Sequence, residues 1–538
     1  MRIGLGQINT TVGDLSGNAA RIIEYAKRAA DAGCGLFVTP ELATTGYPPQ
    51  DLLFKRHFIA DQLALLYGGL AQELPLPSLV GFVDRGPEGE LYNAAALVSG
   101  GEVARVIHKT LLPTYDVFDE WRYFRPADEI APVEFAGKKI GVTICEDIWD
   151  GDYDRKIVQE LARAGAKTVV NLSSSPFHAG KREERLGLLR MHAIANEVSM
   201  VYCNLVGAQD ELIFDGESMA VDSKGRLVAL GPQFEEALVV VETGNSGSEP
   251  PKEAPHRAFD FESEVFHALC LGIRDYFRKC GFERAVIGLS GGIDSALTAC
   301  LAAEALGSGD VIGVYMPSRH SAAMSGEDAE ALAHSLGIEY LVMPIDESVE
   351  IAKSRFVSVC GEYRDPVTVE NLQARERGKI LMEISNDRRA LVLATGNKTE
   401  YALGYSTLYG DMCGGLAVIG DVSKPEVYAL ARWYNKTKGA EIIPERTLTR
   451  PPSAELRDGQ VDPFDYARIS PLADAVVEEH LSPDELIARG FAREEIALVF
   501  RLVRGSEYKR RQAAPVLRIT RKAFGIGRKM PIVNRYGG

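Results

Sequence analysis

Apolar residues along the first 240 positions fall into short runs separated by charged, helix-periodic stretches. Runs at Ile3–Ile8, Leu36–Thr39, Leu79–Val83, Ala94–Val98, Val103–His108, Ile140–Ile144, Thr168–Leu172 and Met200–Asn204 have the length and composition of strands. Helical spacing covers about 18–32, 153–164 and 182–197. Short turns join several of the strands, which predicts a layered α/β domain with mixed, partly antiparallel sheets. The periodicity stops over 243–257, TGNSGSEPPKEAPHR, whose Pro, Gly, Ser and charged residues read as a linker. Domains are therefore expected at 1–242 and 258–538. The second opens with a helix over about 261–280. The strand Ala285–Leu289 then runs into a glycine-rich turn and a helix. Strands at Val311–Met316, Glu339–Met343 and Ala390–Ala394 alternate with further helices, which predicts an open, doubly wound parallel sheet with ligands at the carboxyl ends of its strands.

Composition adds exclusions. Of 538 residues, 46% are hydrophobic and 25% charged, an ordinary globular balance. No apolar run approaches the ~18 residues of a membrane helix. The N-terminus, MRIGLGQINT, lacks a signal peptide's apolar core and cleavage site. Eight cysteines without a CxxC pair and nine histidines without HExxH argue against a disulfide scaffold or a zinc site. A cytoplasmic location is expected. The net charge of −15 argues against general nucleic-acid binding. The charge is uneven: residues 1–250 carry 23 basic and 35 acidic side chains, whereas the last 35 residues carry ten basic ones and a single acid, Glu507. That basic tail is either a solvated face or a surface for a phosphate-rich small ligand.

Three chemistry-bearing residues share one kind of place. Glu41 follows the strand LFVTP, Lys109 follows VARVIH, and Cys145 ends IGVTIC. If the strands are neighbours, the three side chains meet at one rim. Each alone reads as a surface charge or a buried thiol. Together they make chemical sense. A thiolate is the nucleophile, an ammonium lowers the thiol pKa and stabilises an oxyanion, and a carboxylate serves as general base.

The segments TPELATTGYPPQDLL (39–53), HKTLLPTYDVFDEWRYF (108–124) and GVTICEDIW (141–149) resemble the nitrilase, or carbon–nitrogen hydrolase, superfamily. The resemblance covers most of residues 1–240 and implies an αββα sandwich with a Glu41–Lys109–Cys145 triad. A second glutamate near the nucleophile corresponds to Glu120, which otherwise reads as a surface residue beside Arg122. The stretch NLSSSPFHAGKREER (171–185) is similar to the nitrilase-type glutaminases of NAD synthetases. That similarity implies that Tyr115, Ser175 and Lys181 contact glutamine, although the run KREER could also be a solvated helix start.

The second constellation is Ser290-Gly291-Gly292-Ile293-Asp294-Ser295, between a strand and a helix. Its glycines let the backbone bend and approach a ligand closely, and a helix start offers N–H groups to phosphate. No lysine follows the glycines, so this is not a GxxxxGK[ST] loop. SGGxDS resembles the pyrophosphate loop of the ATP pyrophosphatases, which cleave ATP between its α and β phosphates to form an adenylate. That resemblance gives Asp294 to Mg²⁺; the alternative is a helix-capping aspartate.

NLQARER (371–377), ATGNKTEYALGYSTLYGDMCGG (394–415), IGDVSK (419–424) and EYKRRQ (507–512) look like NAD synthetase motifs. The resemblance covers about 260–538, an adenine nucleotide α-hydrolase-like domain. It implies Thr395 at ATP, Asn371 and Lys509 at nicotinic acid adenine dinucleotide (deamido-NAD), Glu400 at Mg²⁺ or the dinucleotide, and Lys424 at substrate phosphate or nucleotide. The two halves imply an enzyme that takes ammonia from glutamine and passes it through a tunnel to an adenylated nicotinate, making NAD⁺. Its partners would be these small molecules and, by family habit, further copies of itself, with no nucleic acid and no membrane. Two other readings stay open. One is a tRNA-modifying ATP pyrophosphatase with an amidase attached, kept alive by Tyr508, Phe524 and Tyr536 in the basic tail. The other is a non-catalytic assembly protein with a decayed nitrilase fold.

Overall fold

The structure is a computed structural model that describes residues 1–243 and 260–536. All of the expected linker except Thr243 lies outside the described residues. The chain forms two compact units, the second beginning at Asp260.

The first unit holds two six-stranded sheets. One runs, in spatial order, Ala237–Glu242, Arg2–Gln7, Leu36–Val38, Ser78–Arg85, Leu91–Ser99 and Glu102–His108. The other runs Leu227–Leu230, Met219–Val221, Ser199–Asn204, Thr168–Ser173, Lys138–Ile144 and Val133–Phe135. Both mix parallel and antiparallel pairs. The sheets face one another across a core in which Ile3, Leu5, Leu36 and Val38 meet Val142, Ile144, Val170 and Val201. Alternate residues of the same strands point outward. Phe37, Val80 and Phe82 pack on helix Leu15–Asp31, and Val169, Met200 and Tyr202 on helix Lys181–Asn196. With both faces buried, these strands read as continuous apolar runs rather than as alternation. The result is the expected αββα sandwich.

The second unit is built on a five-stranded sheet ordered Glu339–Val342, Val311–Tyr315, Arg284–Gly288, Ala390–Ala394 and Leu416–Ala417. Every pair in it is parallel. From Arg284–Gly288 the chain builds outward through Val311–Tyr315 and Glu339–Val342. It then returns to add Ala390–Ala394 on the other side. The order of strands reverses between Arg284–Gly288 and Ala390–Ala394, and a crevice at such a switch point is where open α/β sheets bind ligands. The turns leaving those two strands are 289–292 and 395–397. A helical layer formed by Tyr466–Val477 and Arg493–Gly505 covers the far end of this unit, together with Val516 and Phe524 of the tail.

Candidate functional site

In the first unit Glu41, Lys109, Glu120 and Cys145 lie together, all buried. They are not brought together by neighbouring strands, as the sequence had suggested. Leu36–Val38 and Glu102–His108 are separated by two strands, and Cys145 comes from the opposite sheet. The residues meet because the ends of the two sheets face each other and lysine has the reach to cross. Gly81, on an intervening strand, permits the approach: a Cβ there would lie 2.3 Å from the Pro40 carbonyl and 2.6 Å from the Leu42 nitrogen.

The Lys109 ammonium donates to Glu41 Oε1 at 2.7 Å and to Glu120 Oε1 at 2.9 Å. Glu41 also accepts from Asn93 Nδ2 at 2.7 Å and the Ser174 N–H at 3.0 Å. Glu120 accepts from the Tyr47 hydroxyl at 3.1 Å, so it is part of the site and not a surface partner of Arg122. Burial opposes the Lys109 charge, but the Glu120 and Glu41 carboxylates outweigh it and hold the ammonium well above its ordinary pKa. Burial and the Glu41 charge raise the Glu120 carboxyl, to about 7, against the pull of Lys109. The Cys145 thiol moves opposite to the expected direction. Burial and the Glu41 charge push it well above the ordinary thiol value, and the Lys109 ammonium offsets only part of that.

Cys145 has φ of 41° and opens the turn Cys145–Ile148, a left-handed conformation rare for a residue with a Cβ. Asp147 holds this elbow. Its carboxylate accepts from the N–H groups of Ile144 at 2.9 Å, Thr110 at 2.9 Å and Leu111 at 2.8 Å, tying the nucleophile's turn to the segment after Lys109. Glu146, buried beside them, accepts from the hydroxyls of Tyr115 at 3.0 Å and Tyr153 at 3.1 Å, and burial raises it to about 7.

Of the residues expected at glutamine, Tyr115 lies on Glu146 with its ring half exposed. The Lys181 ammonium donates to Glu184 at 3.1 Å and sits 4.1 Å from the Trp149 ring centre; burial and the Arg185 charge lower its pKa. Ser175 is buried, and its hydroxyl and carbonyl accept from Arg185 at 3.4 and 3.1 Å. The run KREER is not a solvated helix start: Arg182 pairs with Glu217, and Arg185 with Asp215 at 2.7 Å, all four buried.

In the second unit the 290–295 turn leaves strand Arg284–Gly288 and enters helix Ile293–Leu306 at the switch point. Ser295 Oγ accepts from the Ser290 N–H at 3.2 Å and donates to the Gly292 carbonyl at 3.0 Å, closing the turn. Gly291 has φ of 73°, and a Cβ there would lie 2.3 Å from the Ser325 carbonyl oxygen. The structure brings together Asp294, Glu400 and Lys424. The Lys424 ammonium donates to Asp294 Oδ2 at 2.5 Å and Glu400 Oε1 at 3.4 Å, and Asn397 Nδ2 donates to Asp294 Oδ1 at 2.9 Å. Burial and the Asp294 charge raise Glu400 to about 8, against Lys424. Two carboxylates already clasping a cation are hard oxygen donors of the kind Mg²⁺ takes, with phosphates completing its shell. Among the described residues no group of three or more His, Cys, Asp or Glu could hold a metal alone. Thr395 lies in the turn at the end of Ala390–Ala394, on the same side of the sheet. Asn371 and Lys509 make hydrogen bonds elsewhere, to the 404–407 segment. They hold one loop: Asn371 Oδ1 accepts from Thr407 Oγ1 at 2.8 Å, and Lys509 donates to the carbonyls of Gly404 at 2.8 Å and Ser406 at 2.6 Å.

Residues 2–246 match the carbon-nitrogen hydrolase family and residues 265–513 the NAD synthase family. The chain is 43% identical to a glutamine-dependent NAD(+) synthetase of Thermotoga maritima, over 100% of the chain and 99% of that protein. It is likewise 43% identical to one from Synechocystis, over 99% of each. The solved structure of the Acinetobacter baumannii glutamine-dependent NAD+ synthetase in complex with adenosine diphosphate aligns with a TM-score of 0.79 at 37% identity, over 99% of this chain and 98% of that one. The chain belongs to the glutamine-dependent NAD(+) synthetases.

Within this family member, several residues support the sites without having stood out in the sequence. Asp147, Asn93 and Asn397 reach Leu111, Glu41 and Asp294 across 36, 52 and 103 positions, separations that no local pattern reveals. The basic tail is partly internal rather than a solvated face. Arg510 donates to the Tyr401 and Ala402 carbonyls at 2.9 and 3.0 Å, so with Lys509 it caps the carboxyl end of the Glu400 helix, Lys398–Leu403. Arg528 and Arg510 both pair with Glu507, at 2.5 and 2.9 Å.

Proposed function

We propose that the first unit hydrolyses glutamine and the second uses the released ammonia to amidate deamido-NAD at the cost of ATP. The observation that carries this is the buried ammonium shared by Glu41 and Glu120 beside the buried Cys145, in a chain whose other unit holds a glycine-turn site at its switch point. Glu41 takes the thiol proton as sulfur attacks the amide carbon. Lys109, held charged, stabilises the oxyanion. Ammonia leaves with a proton returned by Glu41, and the same carboxylate then activates water to release glutamate from the thioester. Glu120 holds Lys109 in place. Tyr115, Ser175 and Lys181 orient the substrate's polar end.

In the second unit the nicotinate carboxylate attacks the α-phosphate of ATP, and pyrophosphate departs along the 290–295 turn, near Thr395. Ammonia then attacks the adenylated carbon and AMP leaves. Asp294 and Glu400 would hold Mg²⁺, which supplies charge neutralisation for the phosphates, while Lys424 adds a second cation. Asn371, Lys509 and Glu400 face the dinucleotide in this reading. We place the enzyme in the cytoplasm, in keeping with the exposed thiol of Cys360. Exposed Ile351, Phe356 and Val359 on helix Asp346–Cys360 support assembly into a homo-oligomer. A guarded route between the sites would keep ammonia unprotonated.

The test is NAD⁺ formation from ATP, Mg²⁺ and deamido-NAD with either glutamine or ammonium, for the wild type and Cys145→Ala. Loss of only the glutamine-dependent rate is expected. Loss of both rates would remove the division of labour, and no NAD⁺ from either source would remove the substrate assignment.

A further inference from the structure

Gly291 carries the left-handed bend of the 290–295 turn, and its carbonyl is held in a small hydrogen-bonded ring. Arg450 Nη2 donates to that carbonyl at 2.7 Å, and Thr447 Oγ1 donates to it at 3.3 Å. The other guanidinium arm, Arg450 Nη1, donates to Ser325 Oγ at 2.8 Å. Ser325 Oγ in turn donates to Glu455 Oε1 at 2.6 Å, and Glu455 Oε2 accepts from the Ala322 N–H at 3.2 Å. Glu455 also lies 3.7 Å from Arg450. Ser325 belongs to the helix Ala323–Leu336, the one whose backbone leaves no room for a Cβ at Gly291. One guanidinium therefore joins three separate pieces of the chain: the turn, the start of this helix, and the segment after helix Glu445–Thr449.

We infer that Arg450 is a positioning residue for pyrophosphate departure: by holding the Gly291 carbonyl it fixes the Gly291–Gly292 peptide, whose N–H donates to Ser290 Oγ at 3.1 Å, and so sets the shape that the 290–295 turn offers the phosphates. A peptide unit has its N–H and C=O on opposite sides, so fixing the carbonyl fixes where the next N–H points. A planar fork suits this task because it serves two acceptors at once, which a lysine ammonium at the same place does with poorer geometry. The side chain is about one-fifth exposed, so the ring is sheltered from competing water without being sealed. The inference rests on the reading of 290–295 as the pyrophosphate turn.

Three proteins decide it: wild type, Arg450→Lys and Arg450→Met. Each is assayed with ammonium as nitrogen source for the KM of ATP and kcat, for inhibition by added pyrophosphate, and for ATP–pyrophosphate exchange in the presence of deamido-NAD. Losing a charge-assisted bond that aims the turn is expected to weaken both ATP and pyrophosphate by about tenfold in Arg450→Met, with Arg450→Lys between it and the wild type. A merely structural role would lower the active fraction, and with it kcat, while leaving the ATP KM and the pyrophosphate inhibition constant in place. ATP and pyrophosphate constants within twofold of the wild type in Arg450→Met overturn the inference. If that variant does not fold, Arg450→Lys with wild-type constants does the same. Absence of exchange in the wild type itself would instead remove the pyrophosphate reading of the turn, and the inference with it.

Discussion

Asp147 is the most informative single substitution in the first unit, because it holds the turn that carries Cys145, the proposed nucleophile, through backbone N–H groups alone. Its fully buried carboxylate spends three acceptor positions on backbone N–H groups, at 2.8–2.9 Å, from both sides of the elbow. Burial pushes its pKa to about 6 despite those bonds, so it is an anion at the pH of an ordinary assay. In Asp147→Asn the amide oxygen can still accept from Thr110 and Leu111. The amide nitrogen is then turned toward the Ile144 N–H, donor against donor. One charge-assisted hydrogen bond is lost and one buried donor is left unsatisfied, a cost of about 2–3 kcal/mol. Asp147→Ala strands all three donors and is expected to cost about 5 kcal/mol or more. Trp121 and Trp149 lie in the first unit, and Trp433 is the third tryptophan of the chain. Urea unfolding followed by tryptophan fluorescence in a Trp433→Phe background therefore reports the first unit. A nucleophile displaced by even a fraction of an ångström should lower glutamine-dependent kcat/KM by ~10–100-fold, with the ammonium-dependent rate within about twofold of wild type. An Asp147→Asn protein within about 0.5 kcal/mol of the wild type and with unchanged glutamine kinetics would refute the reasoning.

Two further outcomes follow from the same structure. Glu120 has its carboxyl raised from 4.5 to about 7, so the folded state binds its proton more tightly than the unfolded chain does. Its contribution to stability is full below about 4.5 and is lost as pH rises through about 7, so the wild type should lose stability relative to Glu120→Gln over that window. Urea midpoints of the two proteins at pH 5 and pH 8 check this, and a constant difference between them would contradict it. In the second unit, Gly291→Ala must place a methyl 2.3 Å from the Ser325 carbonyl at φ of 73°. Synthesis with glutamine and with ammonium should both fall ~100-fold, a steady-state result that a twofold change would oppose.

Long apolar runs and the turns that bound them were readable without tertiary structure. Ala390–Ala394 and Phe261–Cys280 have the bounds the pattern indicates; Val311–Tyr315 and Glu339–Val342 end one residue early, and Arg284–Gly288 is shifted by one residue. Several short pieces without a long apolar run were not readable. Met219–Val221, Leu227–Leu230 and the pair Val206–Gln209 and Leu212–Asp215 are three or four residues long, too few for a period to show. The order of motifs likewise pointed to Glu41, Lys109 and Cys145, and to the 290–295 turn, because spacing along one chain is what a motif records.

By itself, then, the sequence determined most of the longer elements, pointed to two units and nominated the groups proposed to react. Those properties depend on near neighbours. Only the tertiary structure decided how the groups meet and what state they hold. The triad assembles across two facing sheets rather than along one rim, burial and Glu41 push the thiol up against the pull of its lysine, and two of the tail's cations, Lys509 and Arg510, cap a helix. Each of these depends on distance and desolvation between residues tens or hundreds of positions apart. The same arginine or carboxylate is cheap in water and strongly constrained once water is removed, and no local pattern records which of the two it will be.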